Sequence, residues 1–93
     1  MKLAPGELLR IALAERPTAG YRWEIEADGA PVCTLVSNVY DPPGDARPGR
    51  PGGRSWTFRV VRAGRAEIVL AARRPWEKQA PPASTFRITI SAV

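Results

Sequence analysis

"YRWEIE", residues 21 to 26, decides how this chain is to be read. Tyr21, Trp23 and Ile25 are apolar or aromatic, while Arg22, Glu24 and Glu26 are charged. A period of two separates these sets onto opposite faces only if the segment is an extended strand. The same alternation recurs on both sides of it. Leu9, Ile11 and Leu13 alternate with Arg10 and Ala12; Trp56, Phe58 and Val60 with Thr57 and Arg59; Phe86, Ile88 and Ile90 with Arg87, Thr89 and Ser91. Two more strands are read at 32–39 and 66–73, and no window has helical periodicity. Six half-apolar strands describe an all-β chain of two antiparallel sheets packed face to face. Tyr21, Trp23, Trp56, Phe58 and Phe86 take the inward phase and form the expected aromatic core.

Composition agrees with this and excludes much else. The 93 residues suit one domain, expected to span 1–93. A domain near this size hides about 60 to 65% of the surface of its unfolded chain, which leaves little room for an enclosed active site. Ten prolines and eight glycines point to a loop-rich β chain. No histidine is present, which removes the usual general base, the Ser-His and Cys-His nucleophile pairs and the commonest metal ligand. The chain is therefore read as a non-enzyme, with no cofactor and no metal. Cys33 has no partner for an internal disulfide, and it lies in an apolar run where it should pack.

The net charge of +5 is carried by twelve arginines and two lysines. These arginines alternate with apolar residues rather than cluster, which argues against a nucleic-acid partner and for a solvated sheet face. No run of about 18 apolar residues exists, and Pro5, Gly6 and Glu7 interrupt the first nine residues, so neither a membrane span nor an intact signal peptide is visible. A lone cysteine fits both the cytoplasm and an exported protein with its leader removed.

The connections carry more information than the strands. In chain order they are read as Glu15–Gly20, Ala27–Pro31, Asp41–Gly53, Ala63–Arg65 and Arg74–Ala83. If successive strands reverse direction, the first, third and fifth lie at one pole and the other two at the opposite pole. The second and fourth are short glycine turns. The first, third and fifth hold "RPTAG", "DPPGDARPGRPGG" and "RPWEKQAPP". Within the third, Asp41 to Arg47 is read as a mobile proline-rich stretch. One pole only turns the chain; the other presents a composite surface of three loops, which points to binding a protein partner.

These three loops resemble the chagasin family of cysteine-protease inhibitors. The resemblance rests on "RPTAGYRW" from Arg16 to Trp23, "RPGG" from Arg50 to Gly53 and "RPWE" from Arg74 to Glu77, against the family's N-P-T-T-G-Y/F with x-W, G-x-G-G and R-P-W. It covers nearly the whole chain, and the order and spacing of the motifs make the combination specific. The resemblance implies an immunoglobulin-like β-sandwich and a reversible, non-covalent inhibitor of papain-like cysteine proteases, whose loops fill the active-site cleft as a wedge. It implies protease-binding roles for Arg16, Pro17, Thr18, Ala19 and Gly20, for Gly52 and Gly53, and for Arg74, Pro75 and Trp76. In the family the first-loop threonine, here Thr18, approaches the protease's catalytic pair; the glycine loop follows the non-primed side and the Arg and Trp the primed side.

The residue types fit such roles on physical grounds as well. Pro17 restricts one backbone angle and Gly20 permits a sharp exit. Glycines at 52 and 53 let backbone approach backbone. Trp76 offers a stiff apolar face with few rotamers to freeze, and Trp and Arg are enriched at interface hot spots.

The chain also departs from the family. Arg16 replaces an asparagine, Ala19 a second threonine and Arg50 a glycine, and Pro51 removes a backbone donor, so the second contact loop is expected to engage differently or more weakly. Family members usually carry another strand before the G-E-L that stands here as Gly6 to Leu8. Its expected absence would leave an unpaired edge and a route to a homodimer. The alternative reading is a binding module of the same fold that recognises a non-protease partner.

Overall fold

The computed structural model describes residues 1–15, 20–41, 52–77 and 80–93. Its elements are β1 (Lys2–Leu3), β2 (Leu8–Glu15), β3 (Arg22–Asp28), β4 (Cys33–Asp41), β5 (Gly52–Val60), β6 (Gly64–Arg73) and β7 (Ser84–Ala92). They form a three-stranded sheet in the order β2-β5-β4 and a four-stranded sheet in the order β1-β7-β6-β3. All pairings are antiparallel except β1 with β7, which is parallel. The six strands read from alternation are all present, and the all-β sandwich stands.

The alternating residues build the core because each strand turns one phase inward. Trp56, Phe58, Val60, Ile68, Leu70 and Ile90 are fully buried, with Ile11, Val32 and Cys33 beside them. Trp23 and Phe86 pack against this cluster half-buried, and Trp23 meets Trp56 edge to face at 6.5 Å and 84°, the geometry aromatic quadrupoles favour. Tyr21 departs from the expectation. It lies before β3, half-buried, and is not part of the core cluster.

Two corrections concern strand ends. A strand does precede Gly6: Lys2 and Leu3 pair with Ser91 and Ala92 of β7, tied further by Ser91 N to Met1 O at 2.8 Å and Val93 N to Leu3 O at 3.1 Å. The four-stranded sheet therefore has its outer strand, although two residues are too short to leave an alternation in sequence. The second correction lies at the third connection, which is shorter at both ends than the reading gave: Asp41 closes β4 and Gly52 and Gly53 open β5. Residues 42–51, which include most of the proline-rich stretch together with Arg50 and Pro51, lie outside the described residues. Among the described residues no helix is long and apolar enough to cross a membrane.

The pairing registers fix which connections share a pole. Glu15 lies opposite Gly52, Asp41 opposite Gly53, Arg22 opposite Arg73 and Ala72 opposite Ser84, so the strand ends around the first, third and fifth connections converge. At the other pole the Val61 amide donates to Val32 O at 2.8 Å, and a Cβ on Gly64 would lie 3.0 Å from Val32 Cγ2. The parity deduced from chain reversal holds.

Candidate functional site

The fifth connection leaves β6 at Arg73 and turns at once. The Glu77 amide donates to Arg74 O at 2.9 Å, closing a β-turn over Arg74-Pro75-Trp76-Glu77 with proline at the position where its fixed φ is favoured. Arg73 then holds the return, donating from Nη1 to Ala80 O at 2.8 Å while Nη2 pairs with Glu26 of β3. The Arg74–Glu77 ion pair, 3.5 Å and exposed, adds little in water. More of the order at Arg74 comes from stacking: its guanidinium lies 4.7 Å from the Tyr21 ring centroid, within cation–π range. Its Nε is buried without a hydrogen-bond partner.

Trp76 stands at the tip, 70% exposed. Its indole does not enter the core; its outer edge lies over Gly20, where an added Cβ would sit 2.7 Å from Cη2. Gly20 has φ +83°, a conformation side-chain-bearing residues rarely adopt. One glycine thus turns the first connection into β3 and makes room for the aromatic tip of the fifth. The two loops touch. Arg16, Pro17, Thr18 and Ala19 lie outside the described residues.

Gly52 and Gly53 behave differently from each other. Gly52 is buried, and a Cβ there would overlap the Tyr40 hydroxyl and lie 2.7 Å from the Asp41 carbonyl oxygen. A Cβ on Gly53 would meet nothing within 4 Å. Both sit in β5, the central strand of its sheet, with Gly53 opposite Ala14 on one side and Asp41 on the other. What Gly53 leaves open is the outer face of the ladder.

At the same pole, between the ends of β2 and β5, lies a part-buried ion pair. The Glu15 carboxylate is 2% exposed and accepts from Arg54 Nε at 2.7 Å and Nη2 at 3.1 Å, the bidentate fork suited to a carboxylate. It also accepts from the Trp23 backbone amide at 3.4 Å, and Trp23 Nε1 donates to Ala14 O at 2.9 Å. Arg54 Nη1 reaches Asn38 Oδ1 at 2.9 Å, and its guanidinium carbon is 5.4 Å from the Tyr40 ring centroid. The sequence reading passed over Glu15, Arg54, Arg73 and Tyr21 as site residues. A signal for the first two was present: Glu15 continues the inward phase of Leu9, Ile11 and Leu13, and Arg54 precedes Trp56 and Phe58 in theirs. Opposite charges in two inward phases imply a pair.

Comparison with known proteins fits this geometry. Residues 2–90 match the family described as Chagasin family peptidase inhibitor I42. The chain belongs to the chagasin family of peptidase inhibitors. It is accordingly an inhibitor and not an enzyme. It is 29% identical to chagasin of Trypanosoma cruzi over 96 residues, 99% of this chain and 87% of that one. The cysteine protease inhibitor EhICP2 of Entamoeba histolytica shares its fold, with a TM-score of 0.88 at 22% identity over 100% of this chain and 85% of that one. The solution structure of amebosin matches with a TM-score of 0.69 and 28% identity over 99% and 84%. The immunoglobulin-like fold expected of this inhibitor is thereby established. Among its described residues no group of three His, Cys, Asp or Glu could hold a metal ion.

Proposed function

We propose that the chain inhibits papain-like cysteine proteases reversibly and without covalent chemistry, seating its first, third and fifth connections together in the active-site cleft. One observation carries the reading: a proline-stiffened tryptophan, 70% exposed, is braced on the glycine that ends the first loop. A large apolar side chain so exposed contributes little to stability. Held against a second loop, it has already lost most of the freedom that binding would otherwise take from it.

In this reading Trp76, Pro75 and Arg74 cover the primed side of the cleft, with Tyr21 as the platform under Arg74. Thr18, between Pro17 and Ala19, faces the catalytic cysteine and histidine without offering a bond in attack geometry. Arg16 and Gly20 frame that loop. Gly52 and Gly53 mark the base of the second contact loop, where the open face over Gly53 admits the partner's main chain. The Entamoeba histolytica relative is a cysteine protease inhibitor, which supports the choice of protease class.

Progress curves against papain and a cathepsin, with recovery of activity on dilution and an intact inhibitor band afterwards, test this. Inhibition should weaken sharply in Trp76→Ala and Thr18→Trp. Folded protein that leaves these enzymes fully active at micromolar concentration overturns it and favours a non-protease partner.

A further inference from the structure

The contacts proposed above make no use of Glu15, yet no other acidic residue described is so buried. Its neighbours are the strand ends that carry the loops. Glu15 is the last residue of β2, beside Arg16; Arg54 follows Gly52 and Gly53 in β5; Asn38 and Tyr40 lie on β4, which feeds the third connection; and Trp23 is in β3 just past Gly20.

The topology makes this arrangement consequential. The third connection joins two strands of the three-stranded sheet, and the fifth joins two strands of the four-stranded sheet. Their separation at the loop pole therefore depends on how the sheets sit on one another. The hydrophobic driving force between sheets is non-directional, so beyond the Trp23–Trp56 contact directional bonds sharpen that offset. Hydrogen bonds specify it well. Among the described residues only two hydrogen bonds run between strands of different sheets, and both come from Trp23, to Glu15 and to Ala14.

We infer that Glu15, Arg54 and Trp23 form an inter-sheet lock that sets the spacing of the inhibitory loops. Arg54 is what makes the carboxylate directional: its fork fixes the rotamer of Glu15, and Asn38 and Tyr40 fix the fork. The carboxylate is buried and Arg54 partly so, and ion pairs drawn out of water often break even or lose against well-packed apolar residues of similar size. Stability is thus a weak reason for charges at this pole, and geometric definition a stronger one. The consequence for inhibition rests on the proposed function; the lock itself does not.

The test replaces the pair by apolar residues of similar size, Glu15→Leu with Arg54→Met, and separately makes Arg54→Lys, which keeps the charge and loses the fork. The double variant is expected to melt within a few degrees of the parent and to inhibit papain roughly tenfold more weakly, mainly through faster dissociation. Arg54→Lys should fall between the two. Amide resonances of Gly20, Trp23 and Gly53 should shift and exchange faster in both variants. A folded double variant with the parent's dissociation rate and amide spectrum overturns the lock. If the double variant does not fold, Arg54→Lys decides on the same two readouts. If the parent itself does not inhibit papain, the proposed function fails, and unchanged amide shifts and exchange in the variants would separately refute the lock.

Discussion

The indole of Trp76 fills the space that a side chain on Gly20 would need: a Cβ added there would stand 2.7 Å from Cη2 of the tryptophan. The fifth connection is thereby braced on the first. Two substitutions separate what each contributes. Trp76→Ala removes a side chain that is 70% exposed, so stability should change by no more than about 0.5 kcal/mol. Protease affinity should fall by about 2 kcal/mol or more, roughly thirtyfold in Kd. Gly20→Ala, strained at φ +83° and pressing on the ring, should lower both. Thermal melts paired with inhibition constants distinguish the two patterns. Equal affinity of Trp76→Ala and the parent would remove the brace from the binding account.

Adjacent glycines are expected to respond in opposite ways. Gly52→Ala forces a methyl into the Tyr40 phenol and the Asp41 carbonyl, an overpacking that should cost about 1–3 kcal/mol. Gly53→Ala meets nothing within 4 Å and has no positive φ to strain, so stability should hold or rise by about 0.4–1 kcal/mol. On the proposed reading Gly53→Ala still weakens inhibition, because its methyl stands where partner backbone approaches. Urea midpoints for both variants check the contrast.

Cys33 is 4% exposed, and burial, followed by the nearby Asp28 carboxylate, pushes its thiol above the ordinary value of 9.0. In the folded chain the proton is held to higher pH than in the unfolded one. Above about pH 9 the unfolded chain then binds fewer protons and stability falls as pH rises; below that pH the thiol is protonated in both states and contributes no slope. Cys33→Ala should flatten the alkaline limb of the stability profile. Ellman's reagent should label the native thiol far more slowly than the denatured one, and rapid native labelling would contradict its place in the core.

The parallel strand β1 pairs with Ser91 and Ala92, and none of its Cα pairings reaches the earlier part of β7, from Ser84 to Ile88. That stretch joins β3, β2 and β4 as open edge along which a second copy could pair. Sedimentation velocity from about one to a hundred micromolar is the measurement: a growing dimer fraction supports self-association through an open edge, and monomer throughout removes it.

How far the sequence could be read depended on how local each signal was. Trp56, Phe58 and Val60 announce their own burial, because a period of two needs only neighbours. β1 could not be read that way, since Lys2 and Leu3 are ordered by residues about ninety positions away. The start of β5 was hidden by its glycines, which have low β-propensity and belong to a loop-like "RPGG", yet the ladder with β2 holds them extended. At the site, motif order pointed to Trp76 and Gly20, and alternation alone would have left the tryptophan ambiguous between core and surface. Tyr21 shows the reverse failure: its phase matched the core, but it sits one residue before β3 and became the seat of Arg74.

The pairing of β1 with β7 has a practical consequence. Val93 N bonds to Leu3 O, Ser91 N to Met1 O and Met1 N to Thr89 O, which sets residue 93 beside Leu3 and residue 1 beside the stretch from Thr89 to Ser91, on neighbouring strands away from Trp76. Joining these two positions by a linker and opening the exposed turn at Ala30 would give a circularly permuted domain, a rearrangement compact domains accept where the joined positions lie near one another. Such a molecule would leave the three loops untouched, and a label or surface tether placed near either residue would point away from a captured partner.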